Sequence, residues 1–296
     1  MRAGSGGSKP CFCCYNVCSC KCGWEKEDNR LVTTRCNDDA KFVPYTDALI
    51  WRNWDALANV KGQINNEDFE KMQQVFGLTY SDAPLAMLGK QLRGYISPSQ
   101  IMFDPAHIFL CNGILSWEIW DFLEELRKVS GAKLGWDSFA TFLSNIDWRI
   151  PMPDRSAATP SVLRRLLDAE RIKASRANGS DHYKGGADEH LMVYKIFIHF
   201  AEEVASKIPG MEQAVKALLS ACACVEGFFA PQADREWVAL RAPPEVMREH
   251  VRTCFEDYMV AYAVTDVKPK WHFARHIRPA NTNSRFHRPA LQIHVL

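Results

Sequence analysis

The stretch Ile101-Met-Phe-Asp-Pro-Ala-His-Ile-Phe-Leu-Cys-Asn-Gly-Ile-Leu-Ser-Trp-Glu-Ile-Trp-Asp-Phe-Leu-Glu-Glu-Leu126 decides how this chain is read. Asp104 before Pro105 is a helix start: the acid's oxygen accepts a backbone N–H, and proline fits the first helical position. Beyond it Ile114, Leu115, Ile119, Trp120, Phe122, Leu123 and Leu126 recur at helical spacing, so the helix should continue to about Ser130-Gly131. Ile101-Met-Phe reads as a short buried strand or an extended lead-in. The stretch also sets two ionisable groups, Asp104 and His107, in apolar sequence. Such groups are either paired and structural or kept for chemistry, and the bland reading is a capping aspartate and a packed core histidine.

Helical patterning spreads outward from this stretch. Upstream, Leu49, Ile50, Trp54, Leu57 and Val60 share one face of a helix that opens at Asp47 and ends at Lys61-Gly62. Asn66 to Gly77 opens with acids, carries Phe69, Met72, Val75 and Phe76, and stops at a glycine, as a capped helix does. Shorter helices are expected over Pro84–Leu92 and Trp136–Phe142. Downstream of the proline-marked break at Asp147-Trp-Arg-Ile-Pro-Met-Pro-Asp154, a basic helix should open at Ser161. Further helices should run from Ala187, over Met211–Phe229 with Cys222 and Cys224 as core thiols, and from Ala242-Pro-Pro-Glu245. The fold class is therefore mainly α, an irregular helical array with little strand. The expected divisions are a flexible leader (1–10), a Cys-rich element (11–45), helical regions over 46–150 and 151–265, and a basic tail (266–296).

With 36 basic and 35 acidic residues in a chain of 296, no global field advertises a nucleic-acid or membrane partner. Locally, Lys268, Lys270, Arg275, Arg278, Arg285 and Arg288 make the C-terminal end basic. No apolar run approaches the roughly 20 residues that cross a bilayer, and the first residues lack a signal peptide's apolar centre. The expectation is an intracellular chain, nuclear or cytoplasmic, without a membrane partner. In that compartment eleven cysteines point to metal rather than disulfides. Seven of them, Cys11, Cys13, Cys14, Cys18, Cys20, Cys22 and Cys36, crowd the N-terminal part. Cys11-x-x-Cys14 has the spacing that lets one turn present two sulfurs to a zinc ion. Cys11, Cys14, Cys20 and Cys22 form the expected Zn²⁺ set. The irregular second pair, inside Cys18-x-Cys20-x-Cys22, leaves that set open, as it does a Cys-rich leader that binds no metal.

Four segments together resemble a known family. They are Lys9-Pro-Cys-Phe-Cys-Cys-Tyr-Asn-Val17, Phe103-Asp-Pro-Ala-His-Ile-Phe-Leu-Cys-Asn-Gly113, Arg171-Ile-Lys-Ala-Ser-Arg-Ala-Asn-Gly-Ser-Asp-His-Tyr-Lys-Gly-Gly-Ala-Asp-Glu189 and Val267-Lys-Pro-Lys-Trp-His-Phe-Ala-Arg-His276. In order and spacing they resemble the transposase-like proteins of eukaryotic cut-and-paste DNA transposons. The resemblance implies an RNase H-like core in which three carboxylates hold two Mg²⁺ ions for strand cleavage and transfer. It implies that Asp104 is one such acid with His107 beside it, and it aligns Glu189 with an acidic position. Two departures matter: Ala106 stands where the family's Asp-x-Met-His motif has methionine, and no acid follows Ile277. The family's first acid is expected before the cysteine element, where this chain has only a short leader. The expected function is accordingly an inactive or incomplete transposase-like protein. The second reading is a zinc-stabilised helical module that binds nucleic acid or protein, with Lys173, Lys184, Lys268, Lys270 and Arg275 as candidate phosphate contacts.

Overall fold

The computed structural model describes residues 9–20, 31–81, 103–131, 179–229, 244–264 and 267–277. They are mainly helical. The helices are α1 (Asp47–Val60), α2 (Asn66–Phe76), α3 (Pro105–Phe109), α4 (Ile114–Ser130), α5 (Ala187–Glu203), α6 (Glu212–Phe229), α7 (Pro244–Tyr262) and α8 (Pro269–Ala274). Among the described residues the strands are β1 (Val17–Cys18) and β2 (Val32–Thr33), which pair in parallel. The helices expected over Pro84–Leu92, Trp136–Phe142 and from Ser161 lie outside the described residues, as do Ile101 and Met102.

The chain groups into two compact units. The first takes the described residues up to Phe103 together with 267–277; the second takes those from Asp104 to Val264. In sequence, then, the second unit is inserted into the first. In the first unit, α1 begins at Thr46, whose side chain accepts the Leu49 N–H at 3.2 Å, and α2 begins at Asn65, which accepts the Asp68 N–H at 2.9 Å. Gly77 ends α2 at φ 67°, where a side chain would be strained. The two helices bury Tyr45, Ile50, Leu57 and Leu78, with Leu49, Phe69, Met72, Phe76 and Tyr80 packed around them.

In the second unit α4 is buried almost all round, which is the signature of a central helix. It packs against α5, α6 and α7, and α6 packs most extensively against α7. The single helix expected from Pro105 to Ser130 is two. Asn112 takes φ 46° and Gly113 starts α4 afresh, so α3 ends after one turn. Ser116 secures this break. Its hydroxyl accepts the Gly113 N–H at 3.3 Å and lies 3.1 Å from the Leu110 carbonyl and 3.0 Å from His190 Nε2. His190 donates through Nδ1 to the Gly186 carbonyl at 2.8 Å, which leaves Nε2 as the acceptor. Burial lowers its pKa, against the opposing Gly186 bond, so the ring stays neutral. Ser116 and His190 are both 0% exposed, which makes this pair a brace between α4 and α5 rather than a nucleophile and base.

Candidate metal centre

The Cys11-x-x-Cys14 turn is held from both sides. Cys13 donates its backbone N–H to Cys11 Sγ at 3.3 Å, the contact that curls the turn. The turn is then sewn to residues 43–45, as the Val43 carbonyl accepts from Tyr15 N–H and the Cys13 carbonyl from Tyr45 N–H, each at 2.8 Å. Asn16 adds a side-chain clamp, donating to the Lys41 carbonyl and accepting the Val43 N–H, both at 2.8 Å. The Lys9 ammonium lies 4.5 and 4.1 Å from the ring centroids of Tyr15 and Tyr45. Burial pushes its pKa down to about 8, against the pull of the thiols at Cys18, Cys11 and Cys14.

The second half of the site comes from α8. Pro269 opens this short helix in the position proline favours; His272 lies within it and His276 in the turn that follows, its N–H donating to the Phe273 carbonyl at 2.9 Å. Thr34 Oγ1 and the Cys20 thiol both donate to the Val267 carbonyl, at 3.2 and 3.4 Å, and so fix the approach to the helix. Arg275 locks its far side. The guanidinium side chain is 6% exposed, donates to Asp39 at 2.7 Å and to the Asn37 carbonyl at 2.9 Å, and also reaches the Asn37 side chain. Phe42 meets the His272 ring edge-on at 4.7 Å, and Phe103 stacks on Phe273 at 4.6 Å.

This packing brings Cys11, Cys14, His272 and His276 together, with one donor atom from each within 4.8 Å of all the others. Cys14 Sγ is 3.2 Å from His276 Nε2, which is 3.0 Å from His272 Nε2. A tetrahedral zinc with ordinary Zn–S and Zn–N bonds spaces its ligand atoms roughly 3.3–3.8 Å apart. The separations of 3.2 and 3.0 Å fall a few tenths of an ångström short of that spacing and every other pair lies within 4.8 Å, so two thiols and two imidazoles converge as a zinc ligand set does. The imidazoles are biased in opposite directions. Burial and the neighbouring His276 and Arg275 hold His272 well below the usual histidine range. Burial also opposes charge on His276, but its hydrogen bond to Cys11 and the nearby Cys13 thiol and Asp39 carboxylate outweigh it and raise the group. Among the described residues His272 Nδ1 is buried without a hydrogen-bond partner, and Phe42 packs edge-on against the ring.

Only part of the expected ligand set is in this cluster. Cys11 and Cys14 are; Cys20 bonds the Val267 carbonyl instead, and Cys22 lies outside the described residues. The histidines were not among the expected ligands. Their one-turn spacing is a signal in the sequence, yet His276 lies 262 positions from Cys14, and only the fold pairs them.

The expected carboxylate site is not assembled among the described residues, where the Cys/His cluster is the one group of three or more potential ligands. Asp104 caps α3, accepting the Ala106 N–H at 2.8 Å, and its other oxygen pairs with His107 Nδ1 at 2.5 Å. The His107 side chain is 51% exposed rather than packed in the core. Glu189 caps α5, accepting the Gly186 N–H at 2.8 Å. These are the bonds that terminal acids make to unpaired helix donors. Asp104→Ala should therefore cost about 1 kcal/mol of stability in denaturant titration, and Asp104→Asn, which keeps an acceptor, much less. Of the expected phosphate contacts, Lys184 is exposed, Lys268 and Lys270 are half-buried on the approach to and first turn of α8, and Lys173 lies outside the described residues. Arg275 is committed to Asp39 and Asn37 and braces the metal cluster, so its guanidinium is not presented to a phosphate.

Compared with family models, curated proteins and solved structures, the chain matches none. Among the described residues no helix is long and apolar enough to cross a membrane.

Proposed function

We propose that this chain is a zinc-held helical binding protein of transposase-like descent that engages DNA without cutting it. The observation that carries this reading is the meeting of Cys11-x-x-Cys14 with His272-x-x-x-His276 in one buried four-ligand site. These are the two end segments on which the resemblance to transposase-like proteins rests. Four protein ligands leave no position on the ion for water or substrate, so the metal would serve the fold, as closed zinc sites do. Zinc is favoured over harder ions by two thiolates and two imidazoles in a tetrahedral set.

The non-cutting part of this reading is supported by the acids. Two-metal phosphodiester chemistry needs several carboxylates converging on ions a few ångström apart. Asp104 and Glu189 are each occupied at a helix start, and among the described residues no group of three ligands includes them. DNA as the partner rests on the resemblance and on the lysines Lys184, Lys268 and Lys270. In a titration of duplex DNA at rising salt, the logarithm of the binding constant should fall linearly with log salt concentration, with a slope of about 0.9 per phosphate neutralised. With Mg²⁺ added the DNA should stay intact. Mg²⁺-dependent cleavage that Asp104→Ala abolishes would defeat the non-cutting reading, and salt-insensitive or absent binding would defeat DNA as the partner.

A further inference from the structure

The central helix α4 carries one acid in a setting otherwise given to apolar groups. Glu118 is 0% exposed. Its Oε1 accepts the Tyr262 hydroxyl at 2.6 Å, while its Oε2 is buried with no hydrogen-bond partner among the described residues. Among the described residues its surroundings supply no cation paired with it. From its own helix comes Asp121, already accepting the Tyr258 hydroxyl at 2.7 Å. From α6 comes Cys222; from α7 come Cys254, Asp257, Tyr258 and Tyr262. Asp257 is the neighbour that holds a cation, binding Lys216 at 2.8 Å and the Ser220 hydroxyl at 2.6 Å. The buried α5 side chains His190 and Tyr194 complete the packed elements, and His190 is bonded to Ser116 and Gly186.

The balance of influences on this carboxyl favours the neutral form, with the Tyr262 hydrogen bond the main one opposing it. Desolvation comes first and the charges of Asp121 and Asp257 add to it, against the single Tyr262 bond. Placing an uncompensated carboxylate here would cost far more than losing a surface contact. We propose that Glu118 is held as a neutral carboxylic acid and acts as a pH-sensitive latch in the seam of α4 with α7, so that loss of its proton to solvent loosens the second unit. The residues involved all lie in that unit, and the inference is independent of the metal site and of DNA.

The sign follows from linkage. A carboxyl that binds its proton more tightly when folded contributes most below the ordinary glutamate value of about 4.3. That contribution is lost as pH rises toward the folded-state value, the folding constant falling about tenfold per pH unit. The test compares the zinc-saturated full chain with its Glu118→Gln variant by native-state hydrogen exchange at α4 and α7 amides, from about pH 5 to about pH 8. Glutamine keeps the shape and the acceptor of the neutral acid. The ratio of opening constants, wild type over variant, should climb about tenfold per pH unit across the window in which Glu118 keeps its proton. An equal pH dependence in the two chains would overturn the proposal. So would a Glu118→Gln chain that fails to fold, because that would mean the site needs the carboxylate itself.

Discussion

Replacing Cys14 with serine or His276 with alanine in the full chain should abolish metal binding and release residues 9–20 and 267–277 from protection, while α4–α7 stay folded. The expected effect is large because a structural zinc site of this type contributes an apparent ~10–16 kcal/mol of coupled binding and folding. A whole domain is stable by only ~5–15 kcal/mol. The geometry explains why local contacts would not substitute. The two ligand pairs are joined through a loop in which Cys14 and His276 are 262 positions apart, and closing such a loop costs chain entropy that the ion offsets. Without it there remain, among the described residues, such contacts as the Val267 carbonyl held by Thr34 and Cys20, the Arg275 clamp and the Phe103–Phe273 stack. Hydrogen exchange resolved by segment reads the outcome, and most of the helical circular dichroism should survive. Uniform loss of protection in both units would show that the ion's influence is not confined to the first.

The second large effect is expected at Gly113. Its φ of −107° suits any residue, so the glycine is not required by backbone conformation. It is required by space. A Cβ there would overlap the Ile108 carbonyl oxygen and come within 2.6 Å of the Phe109 carbonyl carbon, both backbone atoms of the one-turn helix it follows. Backbone cannot swing aside as a flexible side chain does, so Gly113→Ala must part α3 from α4 and break the Ser116 brace beneath them. The cost should be about 3 kcal/mol or more, lowering the melting temperature of the second unit by roughly 6–12 °C. Gly131→Ala is the contrast. Among the described residues nothing lies within 4 Å of its Cβ, and only the backbone conformation, φ 81° with ψ 152°, is violated, so about 1–3 kcal/mol is expected with α3 left in place. Hydrogen-exchange protection at α3 and the start of α4 that survives Gly113→Ala would contradict the close approach there.

The secondary structure was legible where local chemistry acts alone. Asn66 to Gly77 announces its own start and stop, and α2 spans Asn66–Phe76 with Gly77 as its left-handed cap. Periodicity failed at Cys111-Asn112-Gly113, because apolar spacing continues across a break made by backbone geometry and a buried serine. It also passed over α8, six residues long and built around aromatic rings whose partners are distant in sequence. The metal site was half legible for the same reason. Cys11-x-x-Cys14 is a local signal, whereas pairing it with His272 and His276 depends on how the two parts of the first unit meet around an insertion. Proximity in sequence made Cys20 and Cys22 the natural second pair. Counting charge could not show that Arg275 is bonded to Asp39 and Asn37.

The account turns on which atoms hold the metal, and zinc-edge X-ray absorption on the purified full chain measures that directly. It should find one zinc per chain with two sulfurs near 2.3 Å and two nitrogens near 2.0–2.1 Å, and the nitrogen shell should change in His272→Ala and His276→Ala. A shell of four sulfurs unaffected by those substitutions would mean that the cysteine-rich segment closes its own site, and would contradict the account.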